Sequence, residues 1–197
     1  MPSNKKLTDH DIGDLVMNTF NSHAHVSDLR AFNDMRPHLK NSEISKHLAM
    51  LKNHPVIELG YGRSPLYLMI ECAAYTGVDP YPYMNNWTFP KPPKAKFVQE
   101  DALIFLRTQR PLSAIIVSFG LLDESILGPL NELDSDRKKR ALQYQEELAE
   151  NIRTVAHPFA LLYGADTEKI MGKPDIPFIP SHTRLGGIYL PYIPKAA

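Results

Sequence analysis

Cysteine is almost absent from this sequence, since Cys72 is the only one among 197 residues. A single thiol cannot form an intramolecular disulfide, and it excludes a zinc site built from several cysteines. Cys72 lies beside an apolar run and is expected to be an inert core thiol. Excess charge is also absent, because 22 lysines and arginines balance 22 aspartates and glutamates. A molecule without net charge has no overall field that attracts polyanions, so no nucleic-acid partner is expected.

Long hydrophobic runs are missing as well. No apolar stretch approaches the roughly 20 residues that a membrane-spanning helix requires. The polar residues 1–6 lead into no hydrophobic signal segment. These absences predict a cytoplasmic protein without membrane association, and the length fits one domain with a sizeable core.

Two helical patterns come first along the chain. Thr8 stands before acidic residues, which predicts a capped helix start, and apolar residues then recur at helical spacing as far as Phe20. A second helix is predicted over residues 43–52. We therefore expect residues 1–54 to form a helical layer, a cap or lid, beside a core of residues 55–197.

Short apolar runs alternate with helical segments from Pro55 onward. The predicted elements are strands over residues 56–59, 75–79, 96–98, 113–119 and 159–163, helices over residues 102–107 and 136–155, and a terminal hairpin over residues 176–179 and 187–190. Such alternation predicts a doubly wound, mostly parallel, Rossmann-like α/β sheet. The proline-rich segment 80–93 leaves room for only a very short helix between the second and third strands.

A glycine turn follows the first predicted strand. Gly60 and Gly62 stand directly after Leu59, at the strand end where open α/β sheets bind their ligands. Glycine permits positive φ and a close approach of backbone to a ligand. A purely structural turn would use the same residues, so the neighbouring side chains must distinguish the two interpretations.

Glu58 indicates which charge the ligand carries. Its carboxylate stands beside the turn, where it would oppose the pyrophosphate of a dinucleotide. The third position of the dinucleotide fingerprint holds Pro65 rather than glycine or alanine. The same carboxylate suits a ligand with an ammonium and a sulfonium, so these residues favour S-adenosylmethionine over a nicotinamide cofactor.

Four short motifs occur in order over residues 55–165: Glu58-Leu59-Gly60-Tyr61-Gly62, Gly77-Val78-Asp79, Glu100-Asp101-Ala102 and Ile115-Ile116-Val117. Their order and spacing resemble those of the class I S-adenosylmethionine-dependent methyltransferases. The resemblance implies that Glu58 and the turn hold the methionine portion, Asp79 the ribose hydroxyls, and Asp101 a place beside adenine. Asp79 also has a physical reason of its own, because an acid at a strand end can accept hydrogen bonds from two vicinal hydroxyls. Asp101 serves equally well as a helix N-cap, and it can do both through different groups.

The residues expected to bind the cofactor lie at these strand ends: Glu58, Gly60, Tyr61, Gly62, Asp79, Pro80, Asp101, Ala102 and Ser118. Tyr61 could enclose the adenosine together with Tyr81, Tyr83 and Trp87, although aromatic loop residues often only pack. Asp123 and Glu124 are the catalytic candidates, because either could orient a nucleophile or accept its proton after the fourth strand. Acids in that position also commonly start a helix.

The motifs depart from the family pattern in two places. Ser64 replaces a third glycine, and residues 118–121 lack the signature of many amino-group methyltransferases, which argues against methylation of DNA bases or glutamine. A shorter similarity, over residues 60–65 and 77–79, links the chain to nicotianamine-synthase-like enzymes that transfer an aminocarboxypropyl group. The pair formed by His23 and His25 lacks the further ligands of a metal site, so no metal is expected.

These observations predict a methyltransferase whose partner is a small-molecule or protein substrate. Two alternatives stay open: an aminocarboxypropyl transferase, and a non-catalytic protein that binds S-adenosylmethionine. The sequence identifies neither the methyl acceptor nor the oligomeric state.

Overall fold

The computed structural model describes residues 7–11, 42–62, 71–80, 94–109, 114–119, 134–164, 167–179 and 182–191. Its strands are β1 (Pro55–Leu59), β2 (Ala74–Asp79), β3 (Ala95–Gln99), β4 (Ala114–Phe119), β5 (Ala156–Tyr163), β6 (Ile176–Ile179) and β7 (His182–Tyr189). They form one sheet in the order β3-β2-β1-β4-β5-β7-β6. The predicted Rossmann-like sheet and the terminal hairpin are therefore confirmed.

The first five strands pair in parallel, and β7 runs antiparallel to both β5 and β6. Parallel strands covered on both faces need apolar side chains on both faces. This is the case for β4, where Ile115, Ile116 and Val117 are all fully buried. The continuous apolar run of β4 in the sequence thus reflects its place near the middle of the sheet.

Helices cover the two faces of the sheet. They are α1 (Ser42–Leu51), α2 (Ala102–Thr108), α3 (Ser135–Val155) and α4 (Thr167–Met171). One face packs Leu59 with Leu103 of α2 and Leu148 of α3. The opposite face packs Val56 and Phe159 with Ile44 of α1. Each face therefore has its own apolar cluster, and the polar strand ends lie between the two helical layers.

The start of the chain is attached to α2 and α3. Leu7 is buried in the cluster on that face, and its N–H donates to Glu147. The Thr8 hydroxyl accepts from the Asp11 N–H while Asp11 accepts from the Thr8 N–H, which is a reciprocal helix cap. Residues 9–11 are helical as predicted, and the rest of that predicted helix lies outside the described residues. No helix within the described ranges is both long and apolar enough to cross a membrane.

Candidate functional site

The candidate site lies at the carboxyl ends of the parallel strands. In the sheet, β1 has β2 on one side and β4 on the other, so the chain crosses over between these strands. Ligands of open α/β sheets bind at such a reversal of strand order. The glycine turn follows β1 directly, which puts it at this reversal.

Backbone geometry at the turn requires glycine. Gly60 and Gly62 have φ angles of 70° and 52°, in the left-handed region that side chains other than glycine rarely adopt. The Gly60 N–H donates to the Val78 carbonyl at 2.8 Å, which ties the beginning of the turn to β2. The turn is thus held against the neighbouring strand and is not a loose loop.

Asp79 fixes the other end of the turn. Its Oδ2 accepts from the Gly62 N–H at 3.0 Å, and the residue is only 4% exposed. The carbonyl of Asp79 accepts from the Glu100 N–H, which brings the end of β3 to the same edge. Asp79 therefore lies beside the glycine turn as its predicted role requires, and ribose binding stays a prediction.

Glu58 is the second buried acid at this edge, with 3% of its surface exposed. In the parallel register it lies opposite Gly77, and its Oε2 accepts a short hydrogen bond from the Tyr75 hydroxyl. Alternation along β2 puts Tyr75, Gly77 and Asp79 on one face of the sheet. Glu58 thus precedes the glycine turn by two residues, and Asp79 is hydrogen-bonded to Gly62 of the turn, so both acids lie at this edge of the sheet.

An aromatic cluster covers Gly77. A Cβ atom at this residue would lie 2.8 Å from Tyr61 Cδ1, 3.0 Å from Tyr75 Oη and 3.1 Å from Phe97 Cδ1. The rings of Tyr61 and Phe97 meet edge to face with centroids 5.3 Å apart. Tyr61 is only 2% exposed, so its ring packs into this cluster beside the turn. Glycine at residue 77 is what allows the three rings to converge near Glu58.

Cys72 differs from its prediction as a core thiol. It is half-buried and lies just before β2, next to the apolar cluster of the α1 face. Burial raises the pKa of the thiol, and the charge of Glu58 raises it further. The prediction was wrong about burial because the apolar residues before Cys72 suggested a continuous core segment.

Asp101 lies at the same edge, but its carboxylate is bound by the protein. Its Oδ1 accepts from the N–H groups of Leu103 and Ile104 at 2.7 and 3.2 Å, which makes it the N-cap of α2. Its Oδ2 accepts from the Tyr144 hydroxyl at 2.8 Å. Burial raises the pKa of the Asp101 carboxyl, and these hydrogen bonds offset part of the increase. The capping role is thus present, and contact with adenine stays a prediction.

The remaining predicted cofactor-binding residues also lie at strand ends. Ser118 is buried near the end of β4, and its hydroxyl donates to the Leu59 carbonyl at 3.0 Å. Pro80 follows β2 and accepts from the Gln99 side chain, while Ala102 is the first residue of α2. Ser118 therefore joins β4 to the strand that leads into the glycine turn.

Several predicted residues lie outside the described part of the chain: Asp123, Glu124, His23, His25, Ser64, Pro65, Tyr81, Tyr83 and Trp87. Within the described part, no group of three or more potential metal-binding side chains comes together.

Sequence reasoning missed Tyr75 and Tyr144, which donate to Glu58 and Asp101 respectively. Tyr75 carried a usable signal, because it lies two residues before Gly77 and four before Asp79 on the same strand face. Tyr144 carried none, because its partner is 43 residues away in the chain.

The chain is similar to several proteins of known structure. Models of protein families and curated proteins give no match. The N-methyltransferase NodS of Bradyrhizobium japonicum WM9, solved with S-adenosyl-l-homocysteine, is 14% identical over 71% of this chain and 76% of that chain, with a TM-score of 0.38. The magnesium protoporphyrin IX methyltransferase of Synechocystis PCC 6803, solved with bound SAM, is 14% identical over 84% of this chain and 80% of that chain, with a TM-score of 0.41.

A third solved structure is the 1,6-didemethyltoxoflavin-N1-methyltransferase of Burkholderia thailandensis. It is 14% identical over 82% of this chain and 65% of that chain, with a TM-score of 0.38. At such identities and TM-scores the likeness identifies neither a family nor a substrate for this chain.

The strand order and the strand-end residues define a Rossmann-like α/β domain with a glycine turn and buried acids at the carboxyl edge of its parallel strands.

Proposed function

We propose that this protein is an S-adenosylmethionine-dependent methyltransferase that acts on a small molecule or a protein side chain. The observation that carries the proposal is the buried carboxylate of Glu58, two residues before a glycine turn with positive φ to which Asp79 is hydrogen-bonded. The Glu58 carboxylate just before the turn would repel a pyrophosphate and attract a ligand that carries an ammonium and a sulfonium. An acid in the position of Asp79 suits the ribose of either cofactor, so it does not discriminate between them. The charge pattern therefore supports this cofactor over a dinucleotide.

The chain has suitable groups for each part of the cofactor. Glu58 would bind the ammonium of the methionine portion, and the backbone of the glycine turn would lie against that portion. Asp79 would accept from the ribose hydroxyls. A carboxylate can accept about four hydrogen bonds, so donation from the Gly62 N–H is compatible with further donation from ribose.

Adenine recognition would depend on backbone more than on a side chain. The Asp101 carboxylate already accepts from two backbone N–H groups and from Tyr144. We therefore assign the adenine contact to Ala102 and to the backbone of residues 101–102, next to the start of α2. Asp101 would then serve the fold and the ligand through different groups, as its position in the motif suggested.

Bound S-adenosylmethionine supplies a methyl group made electrophilic by the adjacent sulfonium. The role of the protein is to hold the acceptor atom in line with that methyl group and to exclude water, which accounts for much of the rate enhancement. The acceptor forms a bond to the methyl carbon, the carbon–sulfur bond breaks with its electrons retained by sulfur, and the acceptor loses a proton. We assign the positioning of the acceptor, or acceptance of that proton, to Asp123 and Glu124 after β4.

A product analysis tests this proposal. The purified full chain is incubated with S-adenosylmethionine and a panel of amines, thiols, carboxylic acids and unmodified proteins, and the products are separated by chromatography and mass spectrometry. Acceptor-dependent S-adenosylhomocysteine is the expected product. Methylthioadenosine instead would mean aminocarboxypropyl transfer, and binding without either product would mean a non-catalytic protein.

A further inference from the structure

Tyr75 belongs to none of the four motifs, yet it contacts the acid on which the proposed cofactor site depends. Its hydroxyl donates to Glu58 Oε2, and the tyrosine is only 2% exposed. Carboxylates are rarely buried to the extent of Glu58 unless they are paired or hydrogen-bonded. Tyr75 is therefore one of the groups that make a buried Glu58 tolerable.

The path between the two side chains depends on Gly77. Glu58 lies opposite Gly77 in the parallel register, and Tyr75 lies opposite Val56, one step nearer the beginning of the strands. The tyrosine must reach diagonally across residue 77 to meet the glutamate. Its hydroxyl passes 3.0 Å from the position that a Cβ of residue 77 would occupy. A larger residue at 77 would close this path.

The aromatic neighbours restrict the Tyr75 ring. Its centroid lies 5.7 Å from that of Phe97, and Phe97 packs in turn against Tyr61 of the glycine turn. The hydroxyl therefore has a defined direction, and the carboxylate that accepts from it is oriented before any ligand arrives. Orientation in advance reduces the free-energy cost of binding.

We propose that Tyr75 is a positioning residue that orients the Glu58 carboxylate toward the ammonium group of the cofactor's amino-acid portion. The inference rests on the proposed function, since it concerns the same site and the same cofactor. It adds that recognition of the amino-acid portion, and not of adenosine, depends on a tyrosine outside the glycine turn. Tyr75 acts through Glu58 and does not touch the reacting atoms.

The test compares two ligands that differ in the portion concerned. S-adenosylhomocysteine carries the amino-acid portion, and methylthioadenosine has the same nucleoside without it. Calorimetric titration of the full chain with both ligands gives their ratio of affinities. Tyr75→Phe should reduce the preference for S-adenosylhomocysteine by about three- to tenfold, because the Glu58 carboxylate would then have to be ordered on binding. The affinity for methylthioadenosine should stay within about twofold of wild type.

A matched control is Tyr189→Phe, which removes another largely buried tyrosine hydroxyl, on β7, where it donates to the Gly172 carbonyl. This variant should leave the ratio of affinities unchanged. If Tyr75→Phe lowers the affinity for both ligands equally, the role of Tyr75 is structural and the inference is overturned. An unchanged ratio overturns it as well. Wild-type protein that binds neither ligand refutes the proposed function, and this inference with it.

A second variant, Glu58→Gln, tests whether Tyr75 acts through the glutamate. Glu58→Gln keeps the shape of the side chain and removes its charge, so it should also reduce the preference for S-adenosylhomocysteine. The double variant should lose no more preference than Glu58→Gln alone, because the tyrosine acts through the glutamate. Additive losses, or a Glu58→Gln variant with the wild-type ratio, would overturn the inference.

Discussion

Asp79 and Asp101 are both buried acids at the carboxyl end of a parallel strand, but the protein uses them differently. Asp79 accepts from the Gly62 N–H, so it connects two segments that surround the proposed ligand. Asp101 accepts from two N–H groups of its own helix and from Tyr144 of α3. The Asp79 carboxylate holds the glycine turn, whereas the Asp101 carboxylate caps α2 and joins it to α3.

The difference shows that a motif position alone does not define the role of an acid. Both residues occupy positions that the methyltransferase resemblance assigns to the cofactor. The location of the hydrogen-bond partners distinguishes them, because Asp79 accepts from the glycine turn. Asp101 accepts from the start of α2 and from Tyr144 of α3, contacts that stabilise the fold. We therefore expect substitutions of Asp79 to act chiefly on ligand affinity and substitutions of Asp101 to act chiefly on folding.

The largest effect is expected for Asp79→Ala. Loss of two charge-assisted hydrogen bonds to ribose, each worth roughly 1.5–3 kcal/mol, should lower the affinity for S-adenosylhomocysteine by at least about tenfold. The Gly62 N–H also loses its acceptor, so the turn should become less ordered. Calorimetric titration of protein shown by circular dichroism to be folded measures the affinity. Wild-type affinity together with reduced stability would mean that Asp79 only fastens the turn.

Asp101→Ala should produce the opposite pattern. Loss of the N-cap typically costs about 0.5–2 kcal/mol, and the buried Tyr144 hydroxyl would lose its acceptor as well. Urea denaturation should show the lower free energy of unfolding, while the folded fraction keeps S-adenosylhomocysteine affinity within about twofold. A large loss of affinity with unchanged stability would mean that the Asp101 carboxylate contacts adenine.

The smallest expected effect is a pH dependence at Asp101. Its pKa in the fold is raised above the ordinary value of 3.8, because the carboxyl is buried. The fold then binds more protons than the unfolded chain in the window between these two values, so wild-type stability falls as pH rises through that window. Asp101→Asn lacks this titration. The free energy of unfolding of Asp101→Asn, compared with that of wild type, should therefore increase between acidic pH below the window and neutral pH.

The comparison of the two proteins cancels the titration of other acids. Glu147 is one of these, and it contributes with the opposite sign: burial acts to raise its pKa, but hydrogen bonds from Leu7, Arg107 and Gln143 more than offset this and lower it. Urea denaturation of wild type and Asp101→Asn over a series of pH values gives the required difference. A difference that is constant with pH, or that changes in favour of wild type, would be incompatible with a raised pKa at Asp101.

Much of the fold could be predicted from sequence because apolar runs and caps are local signals. The limits of β4 differ from the prediction by one residue, and α3 begins one residue early. β5 begins at Ala156, three residues before the prediction, because His157 and Pro158 carry no strand signal. The five residues of α4 were missed, since so short a helix has too few turns to establish a periodicity.

The site could be predicted only as far as its local motifs extend. Gly60, Gly62 and Asp79 were identified because their residue types and strand-end positions are visible in the sequence. The hydrogen bonds of Tyr75 and Tyr144 depend on strand register and on helix packing, which a single sequence does not specify. The same limit explains why the sequence alone is compatible with both a ligand-binding role and a capping role for Asp101.

The central claim is that the edge formed by Glu58, the glycine turn and Asp79 binds S-adenosylmethionine and not a dinucleotide. Calorimetric titration of the full wild-type chain with S-adenosylhomocysteine and, separately, with NAD tests it most directly. We expect saturable binding of S-adenosylhomocysteine at one site and no measurable heat from NAD at the same concentrations. Tighter binding of NAD, or binding of neither ligand, would contradict the claim.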